Sequence, residues 1–266
     1  MRFIGKLCLA SSLLCVACGS GSSSQGPAGP AGPKGANGSP GQNGTNGSPG
    51  QSAEDQLNQS LSLILPLQPS AVLIYCWNSN YSWSGSGIKI SATEVLTANH
   101  VWTNTSEGTA STCNIYTDAY TTPIGKATRE LQSAEGRDIA VLSISPSSSV
   151  FGSLPIASMQ DDSTINIGDQ VFLMSHPLGW FDPEVTMGNV ANIQSTYQNS
   201  NITPPGIDWS DAVDVSISAT NGSSGGPIFN PQGKVIGILV AGPGAQVGVG
   251  ALPIEIFLRL ESADNL

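Results

Sequence analysis

Positive charge is scarce in this 266-residue chain: nine Lys and Arg stand against nineteen Asp and Glu, a formal net charge of −10. No cluster of Lys or Arg exists that could neutralise neighbouring phosphates, which excludes a nucleic-acid binder. Charge of either sign is low, at 11 % of residues, and 31 residues are glycine, a composition that excludes helical bundles and coiled coils. Apolar residues reach 39 % but fall in many short runs. None approaches the about 20 residues that cross a bilayer, so no transmembrane helix is expected in the mature chain. Histidine is limited to His100 and His176, and cysteine to five residues, three of them (Cys8, Cys15, Cys18) near the start. Two histidines and the remaining Cys76 and Cys113, without Cys-x-x-Cys or His-x-x-x-His spacing, make no metal site, and no other cofactor is expected.

What is present begins with an export signal over residues 1–18. Arg2 and Lys6 precede an apolar run from Leu7 to Ala17 that is too short to span a membrane, and small residues follow at once. The run ends Cys15-Val16-Ala17-Cys18, which resembles the lipobox of bacterial lipoproteins except that Cys15 stands where that family usually has Leu. The resemblance implies an acylated Cys18 as lipid anchor, with the membrane engaged through that anchor alone. The alternative is ordinary cleavage near Ala17 and full secretion. Two body cysteines in an exported chain point to a Cys76–Cys113 disulfide, the other reading being two separately buried thiols.

Residues 19–52 form a Gly/Ser linker and then a repeat. From Gly26 to Gly50 every third residue is glycine, nine triplets in all, with Pro27, Pro30, Pro33, Pro40 and Pro49 between them. Only glycine fits the shared axis of a collagen triple helix, and proline pre-sets its extended conformation; 27 residues would make a rod of roughly 80 Å. A homotrimer through this segment is one expectation, and a flexible Gly/Pro/Asn spacer is the other. Residues 53–66 then read as a short amphipathic helix, with Ala53, Leu57, Leu61, Ile64 and Leu65 at helical spacing and Pro66 as the stop. It either zips three chains together or packs on the body.

The body, residues 67–266, alternates short β-type runs (AVLIYCW, DIAVLSI, DQVFLMS, VIGILVAG) with Gly, Pro, Asn and Ser, the pattern of an all-β sandwich or barrel. Three of its segments carry chemistry. Asn221-Gly222-Ser223-Ser224-Gly225-Gly226-Pro227 is a glycine-rich turn able to present Ser224 outward. A serine hydroxyl is a weak nucleophile and needs a base. His100, in LTANHV, and His176, in SHPLGW, are the only candidates, and His176 beside Pro177 reads as structural. A base needs a carboxylate, and Asp138 in DIAVL, next to apolar residues, is costly to bury without a hydrogen-bond partner. Asp118, Asp161 and Asp162 sit in polar contexts and are weaker choices.

Together these segments resemble trypsin/chymotrypsin-like serine proteases over about residues 70 to 258, closest to bacterial HtrA-type peptidases. NGSSGGP fits the family's Gly-x-Ser-Gly-Gly-Pro in its last six positions, LTANHV its LTAAHC, and the order His100, Asp138, Ser224 is that of the chymotrypsin-like double β-barrel. The resemblance implies a serine endopeptidase acting on protein or peptide substrates, with Ser224 as nucleophile, His100 as base, Asp138 orienting His100, and the amides of Gly222 and Ser224 as oxyanion hole. Ser223 stands where trypsin has Asp, so zymogen activation by a new N-terminus is not expected, and neither is PDZ-type regulation of the HtrA kind. The primary pocket maps to Ser218 and to Val240, Ala241 and Gly242, with Gly248-Val249-Gly250-Ala251 opposite. None is acidic, so cleavage after Lys or Arg is not expected and a small to medium apolar side chain is. The competing reading is a catalytically inactive binding or adhesive head on a stalk. The chain is expected to be exported, as a cell-envelope lipoprotein or secreted.

Overall fold

The computed structural model describes residues 26–39, 50–104, 107–117, 122–132, 137–160, 165–193, 212–241 and 249–253. The signal segment with Cys8, Cys15 and Cys18 lies outside them, as do Gly242 and Gly248. The chain divides into two compact units, residues 1–49 and 50–266. In the first, residues 26–39 form neither helix nor strand and are exposed.

The second unit opens with helix α1 (Ala53–Ile64), capped by Ser52: its hydroxyl accepts from Asp55 N at 3.1 Å, and the Asp55 carboxylate accepts from Ser52 N at 3.3 Å. The α-helix ends before Pro66, whose ring fits the first turn of the 3₁₀ helix that follows, Leu65–Ser70. Leu57, Leu61, Ile64 and Leu67 pack against the body's core, so the second of the two expected roles for this helix is the one seen.

Fourteen strands follow among the described residues, twelve of them in two barrels and two in a separate hairpin. The first contains β1 (Ala71–Trp77), β2 (Ser82–Lys89), β3 (Glu94–Thr97), β6 (Thr112–Tyr116), β7 (Gly125–Gln132) and β8 (Ala140–Pro146). Antiparallel pairing in the order β1-β2-β3-β8-β7-β6 closes on itself through β1 and β6. Between β3 and β6 lie a four-residue helix, α2 (Asn99–Trp102), and a small hairpin, β4 (Thr103–Asn104) with β5 (Gly108–Thr109). Cys76 and Cys113 face each other directly in the β1–β6 register and are joined by a disulfide in the buried core.

A linker with the short helix α3 (Ser149–Ser153) leads to the second barrel. Its strands are β9 (Gln170–Ser175), β10 (Glu184–Asn192), β11 (Val213–Ser216), β12 (Pro227–Phe229), β13 (Val235–Ala241) and β14 (Val249–Pro253), closed in the order β10-β11-β14-β13-β12-β9. The expected chymotrypsin-like double barrel is therefore the architecture observed. Strand β9 shows why a barrel strand can be apolar on both faces. Val171 and Leu173 enter the second barrel's own core, whereas the alternating Phe172 and Met174 join the large cluster that continues into the first barrel.

One buried cation braces the linker. Lys89 is 1 % exposed, and its Nζ donates to the carbonyls of Phe151 and Leu154, each at 2.8 Å, and of Gly152 at 3.4 Å. These are carbonyls at the end of α3, where a cation is electrostatically favoured.

Candidate active site

The β3–β8 register decides which residues meet. Thr97 pairs with Ala140, so the chain leaving β3 and the chain entering β8 run side by side at one end of the first barrel. Three residues beyond Thr97 is His100, on α2; two before Ala140 is Asp138. Asp138 is 1 % exposed and uses both carboxylate oxygens on His100: Oδ1 accepts from the backbone N–H at 2.8 Å, and Oδ2 lies 2.6 Å from ring Nδ1. This places the Nδ1 proton toward Asp138 and leaves Nε2 as the free acceptor. Burial alone would lower the His100 pKa; the charge of Asp138 and its hydrogen bond outweigh it and hold the ring above its ordinary 6.5. Helix α2 can sit this close because β2 has glycine beneath it: a Cβ on Gly85 would stand 2.5 Å from Val101 Cγ2. The Trp83 indole donates to Val101 O at 2.8 Å and fastens the other side.

Ser224 belongs to the turn that leads into β12. Gly222, at φ +90, takes a backbone conformation that an L side chain rarely adopts, and a Cβ there would also strike His176 O at 2.6 Å. Two contacts orient the turn's peptides. Asn221 C=O accepts from Leu178 N–H at 2.7 Å, and Ser223 C=O accepts from Gly226 N–H at 3.0 Å. In a trans peptide the N–H points opposite to the C=O. The amides of Gly222 and Ser224 are thereby turned away from Leu178 and Gly226, at two residues that both line the cleft described below. Ser86, buried in β2, ties this turn to the first barrel: its N–H donates to Ser224 O and its hydroxyl to Gly222 O, both at 2.7 Å.

His100, Gly222 and Ser224 line one cleft of about 460 Å³, together with Trp83, Ser84, Val101, Asn104, Glu107, Leu178 and Asn221. Motif spacing pointed to the first three and not to the rest. Trp83, Glu107 and Leu178 carry no local signature, because tertiary pairing alone brings them in. Leu178 does carry a structural one: it is the sole non-glycine residue at positive φ among the described residues, at φ 55. His176 is fully buried, with Nδ1 2.9 Å from Trp180 O and Nε2 3.3 Å from Ala71 O, and its N–H donates to Ser86 Oγ at 2.8 Å. It does not line the cleft. Ser218 is exposed, and its carbonyl accepts from Thr186 Oγ1 at 3.0 Å. Val240 is buried on β13, and neither lines the cleft with Ser224.

Two closed six-stranded barrels, with a His–Asp pair on one and a glycine-framed serine turn on the other, define the trypsin-like class. The chain belongs to the trypsin-like peptidase domain family, whose model matches residues 85–238. Among curated relatives, the serine protease HhoA of Synechocystis sp. is 30 % identical over 122 residues, covering 46 % of this chain and 29 % of that one. A DegP-like periplasmic serine endoprotease of Hahella chejuensis is 30 % identical over 130 residues, covering 47 % and 25 %. The matched stretch thus spans under a third of those relatives' length. A serine endoprotease of Yersinia pestis shares the fold at TM-score 0.58 and 20 % identity, over 78 % of this chain and 65 % of that structure.

Proposed function

We propose that this protein is an exported serine endopeptidase that hydrolyses peptide bonds through an acyl-enzyme. The observation that carries the reading is the two-oxygen grip of Asp138 on His100, in a cleft whose wall also holds Ser224. Ser224 Oγ attacks the scissile carbonyl while His100 Nε2 takes its proton and then returns it to the leaving amine. Asp138 fixes the tautomer and stabilises the imidazolium. The amides of Gly222 and Ser224 hold the oxyanion, an interaction of a kind worth about 3 kcal/mol per donor. Water then repeats the sequence on the acyl-enzyme, restoring Ser224. Ser218, Val240, Ala241 and Gly242 form an acyl-side pocket without an acidic group, suited to a small or medium apolar side chain.

Export rests on the basic and apolar start of the chain and on the periplasmic name of its DegP-like relatives. An acylated Cys18 and a collagen-like stalk shared by three chains are further parts of the proposal. The glycine period has no use within a single chain, where a Cβ at Gly26, Gly29, Gly32, Gly35 or Gly38 would meet nothing within 4 Å; on a shared axis it is required. Turnover of a denatured protein substrate by the purified chain tests the reading. Cleavage that Ser224→Ala abolishes supports it, and a wild-type chain without hydrolysis, folded and binding that substrate, supports the inactive-head reading instead.

A further inference from the structure

The cleft raises a question of substrate geometry. A scissile bond at Ser224 has an acyl half and a leaving half, which extend in opposite directions. Ser218 and Val240, assigned to the acyl side, are absent from the wall of the 460 Å³ cleft, and the residues that form it come largely from β2, α2 and the β4–β5 hairpin of the first barrel. The cleft therefore receives the leaving half. Its wall offers apolar contact from Trp83, Val101 and Leu178, the last 61 % exposed. Apart from His100, its one ionisable side chain among the described residues is Glu107.

Glu107 is held in place and left unsatisfied. Its N–H donates to Asn104 Oδ1 at 3.1 Å, and its carbonyl accepts from Asn78 Nδ2 at 2.7 Å. Carboxylate Oε2 is shielded from solvent and has no hydrogen-bond partner. The carboxyl group is thus dry on the Oε2 side while the residue as a whole is only half-buried and lines the cleft, so its negative charge is poorly solvated and a cation arriving in the cleft is attracted to it. Among the described residues no Lys or Arg lines the cleft.

We propose that Glu107 selects a Lys or Arg side chain at one of the two residues following the scissile bond, with Trp83 and Leu178 covering the side chain's methylene stem. A long basic side chain matches this wall, since it buries its stem on apolar surface and its terminus seeks a carboxylate. The selectivity opposes that of the acyl side: apolar before the cut, basic after it. It rests on the endopeptidase reading above.

The test uses peptides identical before the scissile bond and carrying Lys, Gln or Glu at each of the two following positions, compared by kcat/KM. At one of those positions wild-type enzyme prefers Lys to Glu by about tenfold, Gln falls between, and the ratio shrinks as salt is added. In Glu107→Gln the Lys-to-Glu ratio collapses toward one, and in Glu107→Lys it inverts; each ratio is internal to one variant, so a general loss of folding or activity does not imitate it. Wild-type enzyme that cleaves the peptides with no charge preference after the bond overturns this proposal alone. Failure to cleave any of them, or a simple ester of the same acyl residue, overturns the endopeptidase reading and this one with it.

Discussion

Replacing Asp138 by Asn keeps the shape of the site and removes what the carboxylate does. The wild-type group accepts twice, from His100 N at 2.8 Å and at Nδ1 across 2.6 Å. An amide has one oxygen. If that oxygen stays on the His100 backbone, its NH₂ faces Nδ1, which must then accept, and the ring proton moves to Nε2. There it points into the cleft where the Ser224 proton has to go. The expected fall in kcat is about 10⁴-fold, or about 5 kcal/mol in barrier height, against only about 1 to 2 kcal/mol of folding stability for one lost buried acceptor. The pH profile separates this from a structural defect. Catalysis needs neutral His100, whose pKa is held above 6.5 by Asp138 against the effect of burial. The rising limb of wild-type kcat/KM therefore lies above pH 6.5, and in Asp138→Asn, where burial alone remains, it moves to lower pH. The sign for stability is opposite: a raised pKa means the His100–Asp138 pair stabilises fully below the ordinary value and loses that contribution as pH rises through the raised one. A kcat within tenfold of wild type, or an unmoved limb in the residual activity, would refute the tautomer argument.

Three other perturbations reach different parts of the structure. Reducing the Cys76–Cys113 disulfide, which closes a 37-residue separation, should lower stability by about 4 kcal/mol in urea titrations run with and without reductant, and an unchanged midpoint would show that the strands hold their register without it. Lys89→Ala leaves the carbonyls of Phe151, Gly152 and Leu154 without their donor and opens a cavity; chemical denaturation should register about 3 to 5 kcal/mol, and less than about 1 kcal/mol would mean water replaces the ammonium freely. Mass spectrometry of a digested protein mixture should find cuts after Val, Ala, Leu or Met, each methylene discriminated by about 1 to 3 kcal/mol, whereas dominant cleavage after Lys, Arg or Glu would show a charged group in the pocket.

The double barrel and the grouping of His100, Asp138 and Ser224 were legible in the sequence for a local reason. Each sits in a short segment whose composition is fixed by its own turn or strand entry: glycines around Ser224, apolar DIAVL after Asp138, LTA before His100. The disulfide could be expected from a count of two, and the β1–β6 register places its halves opposite each other. What the sequence hid depends on pairings far apart in the chain. Ser86 looks like one more small polar residue of β2, yet it bonds to Gly222 and Ser224 from the opposite barrel. Lys89, in a strand that alternation leaves ambiguous, reads as a surface lysine until α3 folds its carbonyls around it. Glu107 sits in a short polar stretch, and the β4–β5 hairpin that follows α2 turns it into the cleft wall it shares with His100.

The proposal that Ser224 is the nucleophile is tested most directly with a fluorophosphonate, which bonds covalently to a hydroxyl only where a base activates it and donors hold the phosphoryl oxygen. Intact-mass analysis should show a single adduct on the wild-type chain, peptide mapping should place it on Ser224, and Ser224→Ala and His100→Ala, each shown to be folded by circular dichroism, should take up none. An unlabelled wild-type chain under conditions that label a related protease, or an adduct that persists in Ser224→Ala, would contradict the triad and the peptidase with it.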